Sequence, residues 1–317
     1  MKILIAGLPK SGTTGLLYLL FNSFGKRPRI VFEADECPAD LVNEKRDVLA
    51  KVLIRPQLTV DSFNCFDYKI TIIRDPRDRL ISALLYSQYH SDLLDQDDYV
   101  NKVRQCLEEK EAHPAKISYL EILRRLSEFS GKKIEIKKQK KQINNSMRLL
   151  HQYLSGMNGS LVYKYEDFVA ENYSPLQKFL GINITGKARV PDRLKRVARS
   201  KSSDSWRVWF TQEDVQVLKP AITPWLKEFG YDYQDWRLSD DSEIDPEHCS
   251  RYFMGLVEEY RQKQLNQEQS LKQNKTPSCI RKWRKLKRAP YDFFADAKNP
   301  VVRKLKIFFT PENKDRR

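Results

Sequence analysis

Two observations predict an α/β fold built on a parallel sheet: short apolar runs of strand type alternate with helical stretches, and the first run passes through a glycine-bearing turn into a leucine-rich helix. Met1 to Ala6 reads as a buried strand, Gly7 to Thr14 as the turn and Gly15 to Phe24 as the helix. Further strand-type runs lie at Arg29 to Phe32, Lys51 to Ile54, Lys69 to Ile73 and Ser160 to Tyr163. From about Pro76 to Met157, Leu, Tyr and Lys recur at helical spacing, which predicts a helical cap. TQEDVQVLKPAITPWLKEFGYD, past Phe210, reads as two short helices. Asp245 before Pro246 is a helix start, and the apolar residues then thin out into QKQLNQEQSLKQNK, a solvated helix or a linker. The chain has no internal repeat. The expected organisation is a domain at 1–240, a helix and polar linker at 241–278, and a basic aromatic C-terminal extension at 279–317.

The 317 residues include 15 Tyr, 15 Phe and 5 Trp, enough to bury a sizeable core, which excludes a disordered or fibrous chain. No apolar run approaches the roughly 20 residues of a membrane span, so a soluble or peripheral protein is expected. Five cysteines without CxxC or Cys/His spacing argue against a disulfide scaffold or a zinc site and fit a reducing compartment. The apolar stretch at the start is too short for a secretion signal, which points to the cytoplasm. A net charge of +15 predicts anionic partners. Residues 279–317 hold 13 Lys and Arg against 4 Asp and Glu, more than half of that charge.

GLPKSGTT at 7–14 follows a strand and opens a helix, where free backbone N–H groups and the helix dipole favour a bound phosphate. A Walker A loop needs Lys after its second Gly, but Thr13 stands there and Lys10 lies inside the loop, so a kinase of the ATP type fits poorly. No apolar strand ends in an acidic pair suited to the magnesium that phosphoryl transfer uses, and no metal is expected. KITIIRDPRDRLISALLYSQY, 69–89, places Arg74 at a strand's carboxyl end and Ser82 on the following helix, where ligands of open α/β sheets bind. LVYKYEDF at 161–168 and RSKSSDSWRVWFT at 199–211 complete the set.

In this order and spacing the four segments resemble the sulfotransferases that use 3′-phosphoadenosine 5′-phosphosulfate (PAPS), over roughly residues 1–235. The resemblance implies a P-loop-like parallel β-sheet flanked by helices, and transfer of a sulfuryl group to a hydroxyl of a glycan or glycolipid, leaving adenosine 3′,5′-bisphosphate. It implies that Lys10, Ser11, Gly12, Thr13 and Thr14 hold the 5′-phosphosulfate, with Lys10 also stabilising charge on the bridging oxygen. It assigns Arg74 and Ser82 to the 3′-phosphate and Tyr165 to the adenine. Arg199 and Trp206 align with a late family motif whose glycines are replaced here by Lys201 and Asp204, and Lys201 is a substitute phosphate ligand. Gly15 stands where cytosolic members place Trp, and VLIRPQL carries Arg55, Pro56 and Gln57 where those members carry a basic His. Glutamine cannot accept the proton that an attacking hydroxyl must lose. FEADECP supplies the carboxylates Glu33, Asp35 and Glu36 at the distance from the loop lysine used by glycan sulfotransferases of the heparan type. Glu36 is the first choice as base and Glu33 the second. His90, two helical turns beyond Ser82, either faces the cleft or is a surface histidine, and the surface reading is the first choice.

GKKIEIKKQKKQ at 131–142 is either an acceptor-binding surface or a solvated basic face. The bases and aromatics of 279–317 suit an anionic membrane surface, and they equally suit a tail folded back on the domain. No recognised nucleic-acid module surrounds them, so no nucleic acid is expected. Two other functions remain open: a nucleotide kinase, and a non-catalytic anion-binding or membrane-binding protein on the same fold.

Overall fold

The computed structural model describes residues 1–131, 135–197, 202–239 and 243–273. The chain divides into two compact units, Met1–Glu259 and Tyr260–Arg317. In the first, five strands form one parallel sheet in the order β2-β3-β1-β4-β5: β1 Lys2–Gly7, β2 Arg29–Phe32, β3 Val48–Leu53, β4 Tyr68–Ile73 and β5 Leu161–Lys164. The predicted α/β class holds. β1 is the central strand, and its Ile3, Leu4, Ile5 and Ala6 are all buried because helices cover both faces. Helix α1, Thr13–Ser23, presses Leu16, Leu17, Leu19 and Leu20 into that core.

The helical cap follows β4 as α2 Pro76–Ser87, α3 Asp97–Ala112, α4 Tyr119–Phe129 and α5 Ile136–Gly156. Each start has a local cause. The Asp75 carboxylate accepts from Arg77 N at 2.8 Å ahead of Pro76, and Ser118 Oγ accepts from Glu121 N at 3.0 Å. Short helices α6 Tyr165–Val169 and α7 Ser174–Leu180 follow β5, then α8 Trp206–Trp209, α9 Gln212–Glu228 and α10 Ser250–Gln273. The α3 and α4 helices pack together, as do α5 and α9. The second unit's described residues are the continuation of α10.

Three expectations change. Strand β3 starts at Val48 instead of Lys51, because Lys51 is a buried mid-strand residue and not a strand boundary. The stretch after Phe210 is one helix, α9, which runs through Pro220 and Pro224 from a capping box of Thr211 and Asp214. Pro246 opens only a 3-10 turn, Pro246–His248, and α10 begins at Ser250. The 279–317 extension expected at a membrane surface lies outside the described residues. Among the described residues no helix is long and apolar enough to cross a membrane.

Candidate functional site

The chain runs from β3 across β1 to β4, so the loops at the carboxyl ends of β1 and β4 part there and open a cleft, as open α/β sheets do. This cleft has a volume of about 490 Å³. The loop after β1 forms one wall. Lys10 has φ 71° and Gly12 φ 93°, and Ser11 N donates to Leu8 O at 3.1 Å. Gly12 precedes α1 with no side-chain cap, and no acidic residue lies in the first helical turn, so the helix N-terminus faces the cleft with its N–H groups and partial positive charge. Glycine is required at 12 for a second reason: a Cβ there would sit 2.4 Å from the Tyr165 ring. We expect Gly12→Ala to destabilise the fold by about 1–3 kcal/mol, measured as a lower urea midpoint, because it adds a left-handed backbone penalty to that collision.

Lys10 Nζ lies 3.9 Å from the centre of the Tyr86 ring and donates to Val197 O at 3.0 Å. Arg74 ends the strand segment opposite. Its guanidinium stacks on Tyr165 at 4.3 Å and, among the described residues, reaches carbonyl oxygens, Lys10 O at 3.3 Å and Ser202 O at 3.5 Å. The buried Nε atoms of Arg74 and Arg79 have no hydrogen-bond partner among the described residues. Burial pushes Arg79 down to about 10, and the Arg74 charge acts in the same direction. The Arg74 guanidinium lines the cleft and, among the described residues, is in no close carboxylate pair, which leaves positive potential for an anion to satisfy. Ser82, also buried, lines the same cleft.

The opposite wall belongs to β2 and β3. Glu33 takes φ 59° directly after β2, its N–H donating to Lys51 O at 2.7 Å and its carboxylate held by the Lys51 ammonium. Burial pushes Lys51 down, and Glu33 pulls it back up. Arg55 pairs with Asp35 at 2.6 Å and donates to Glu33 O at 3.2 Å. His90, in a 3-10 turn after α2, also lines the cleft while remaining exposed, its ring edge-on to Tyr86. Partial burial first, then the Arg196 and Lys10 charges, lower its basicity.

The structure therefore brings together Lys10, Gly12, Thr13, Thr14, Glu33, Arg55, Arg74, Ser82 and Tyr165 in one cleft. Ser11 is buried within the loop and does not line it. Glu36 is exposed outside the lining, so of the two glutamates it is the second choice that faces the cleft. Trp206 is fully buried elsewhere, with the Arg77 guanidinium 4.0 Å from its ring and Trp236 edge-on. Arg199 and Lys201 lie outside the described residues. Lys51, Tyr86 and Val197 were not predicted: a lysine inside a strand and a valine carbonyl carry no sequence signal for a site. Gly15 has a local reason, since any Cβ there would meet the Phe168 ring at 3.0 Å.

Behind the cleft a buried polar network fixes the start of α2. Arg77 pairs with Asp75 at 2.6 Å, Glu166 accepts from Asp75 N at 3.0 Å and from Tyr231 Oη at 2.9 Å, and Asp78 accepts from the N–H groups of Asp204 and Trp206. Burial pushes Asp78 up to about 6. A second hollow, about 770 Å³, lies beside α4, but its Arg124 and Arg125 are already paired with Glu121. Among the described residues, no group of three or more His, Cys, Asp or Glu side chains could hold a metal ion.

No family model and no curated protein matches this sequence. Among solved structures the chain is similar to mouse sulfotransferase SULT7A1 complexed with PAP, at 16% identity over 71% of this chain and 84% of that chain, with a TM-score of 0.39.

Proposed function

We propose that the protein is a PAPS-dependent sulfotransferase acting on a glycan or glycolipid hydroxyl. The observation that carries this reading is the convergence of three anion-binding devices on one cleft: the uncapped N-terminus of α1, the Lys10 ammonium, and Arg74 with Ser82. The fit to a donor bearing phosphate at both ends is supported by the orphaned Arg74 Nε and by the close Gly12 turn, which lets a ligand approach backbone N–H groups. When bound, the donor supplies an activated sulfuryl group on a bisphosphate leaving group.

Each residue then has a role. Lys10 and the N–H groups at the start of α1 stabilise negative charge that grows on the leaving oxygen. Arg74 and Ser82 hold the 3′-phosphate, and Tyr165 orients Arg74 through its ring face. Glu33 accepts the acceptor's proton, since its carboxylate lines the cleft and Glu36 does not. Lys51 and Arg55 are positioning residues that hold Glu33 from its carboxylate and from its carbonyl. Little covalent work is left to the protein, and catalysis is mostly orientation and charge stabilisation. A surface site at an anionic membrane, through residues 279–317, is proposed on composition alone.

Calorimetric titration with adenosine 3′,5′-bisphosphate, without metal and with ATP as comparison, tests the donor site. Micromolar binding of the bisphosphate with much weaker ATP binding is the expected result. Binding of Mg-ATP with its consumption would favour the kinase, and binding of neither nucleotide would favour a non-catalytic scaffold. For the base, Glu33→Gln is expected to keep bisphosphate affinity within about twofold and to lose about 10²-fold or more in turnover. If His90→Gln shows that pattern and Glu33→Gln does not, the base is the imidazole.

A further inference from the structure

Two thiols outside the reaction described above lie against each other. Cys37 follows the acidic segment after β2, and Cys65 follows the 3-10 turn Val60–Phe63 before β4. Their sulfur atoms are 3.6 Å apart, and both residues are partly exposed, whereas Cys106 and Cys249 are buried. The two segments are already joined by polar bonds: Cys37 N donates to Ser62 Oγ at 2.9 Å, Ser62 Oγ donates to Thr59 O at 2.7 Å, and Thr59 N donates to Asp35 O at 2.9 Å. This frame holds the two segments together, and the sulfur atoms are about 1.5 Å from disulfide distance.

We propose that Cys37 and Cys65 are a redox modification site, forming a reversible disulfide by exchange with a small-molecule disulfide and stapling the segment that carries Glu33 and Asp35. In the first step the thiolate of one cysteine attacks the small disulfide, forming a mixed disulfide and expelling one small thiolate. The second protein thiol loses its proton to solvent and attacks the protein sulfur of that mixed disulfide, expelling the other small thiolate. The two protein thiols together lose two electrons and two protons, and the small disulfide is reduced to two thiols. Burial, and then the neighbouring Cys65, push the Cys37 thiol up to about 11. In a reducing compartment the pair stays open, and it closes when the disulfide pool rises.

This inference does not depend on the sulfotransferase reading, and its test needs neither donor nor acceptor. The full chain is treated with oxidised glutathione under native conditions, digested with trypsin and mapped by mass. The expected product joins the peptides 30–45 and 52–69, about 2 Da lighter than their sum, and is lost on reduction with dithiothreitol. Cys37→Ser and Cys65→Ser should each abolish it and leave a glutathione adduct on the remaining cysteine. Amide exchange across 33–37 should slow about tenfold on oxidation. Single adducts on both cysteines without the cross-link, or a cross-link that forms only in urea, would overturn the proposal. A cross-link that leaves exchange in 33–37 unchanged would overturn the stapling.

Discussion

Lys10→Ala is expected to lower turnover by about 10²-fold or more while binding of the intact donor weakens far less. The reasoning rests on where the ammonium sits. It is held on a turn with φ 71°, a backbone conformation that costs a lysine about 1–2 kcal/mol, over the Tyr86 face and beside the start of α1. A charge held at that cost matters most where the leaving oxygen gains negative charge, which distinguishes the transition state from the bound donor. Lys10→Ala keeps the same backbone requirement and removes the side chain beyond Cβ, with its ammonium and its bond to Val197 O. Single-turnover transfer and calorimetry on one preparation separate the two effects, and near-normal turnover in a folded Lys10→Ala protein would remove Lys10 from the chemistry.

Arg74→Ala should act in the opposite way, weakening bisphosphate binding by about 10²-fold, equivalent to about 2.7 kcal/mol. Its guanidinium is planar, stacked on Tyr165 and short of good acceptors, so a phosphate would provide the charge-assisted bonds that the carbonyls at 3.3 and 3.5 Å provide poorly. Arg74→Lys should recover only part of that loss, because an ammonium neither forks nor stacks in the same plane. Calorimetry with 5′-AMP as control isolates the effect: Arg74→Ala should leave the weak affinity for 5′-AMP nearly unchanged. An equal loss for both nucleotides would mean that Arg74 supports the loop and does not read the 3′-phosphate.

The sheet was legible because strands covered on both faces must be apolar along their whole length. Arg29–Phe32 was placed to the residue and the other strands to within three, the largest error falling where Lys51 breaks the apolar run. A lysine inside a strand reads as an end unless its partner is known, and the partner, Glu33, stands on the neighbouring strand's exit. The same missing contact misdirected the choice of base. Three acidic residues in four positions look equivalent in one dimension, and only the left-handed turn at Glu33 and its hold on Lys51 decide which faces the cleft. Trp206 was aligned by motif spacing alone, and its burial under Arg77 depends on Trp236, thirty residues away and not in the motif. The prolines of α9 read as a break because local propensity opposes them, whereas the structure runs one helix through both.

The central place of β1 sets the order in which this protein can be born. Strand β1 is made before β3 and β4 and must wait for them to acquire neighbours, and the loop after it packs on Tyr165, about 150 residues further along. Until that ring emerges, the turn at Gly12 has no wall behind it and Arg74 no face to stack on. The nascent chain therefore completes its sheet core before its cleft, and any product that stops short of β5 would retain strands yet lack the pocket they were built to display.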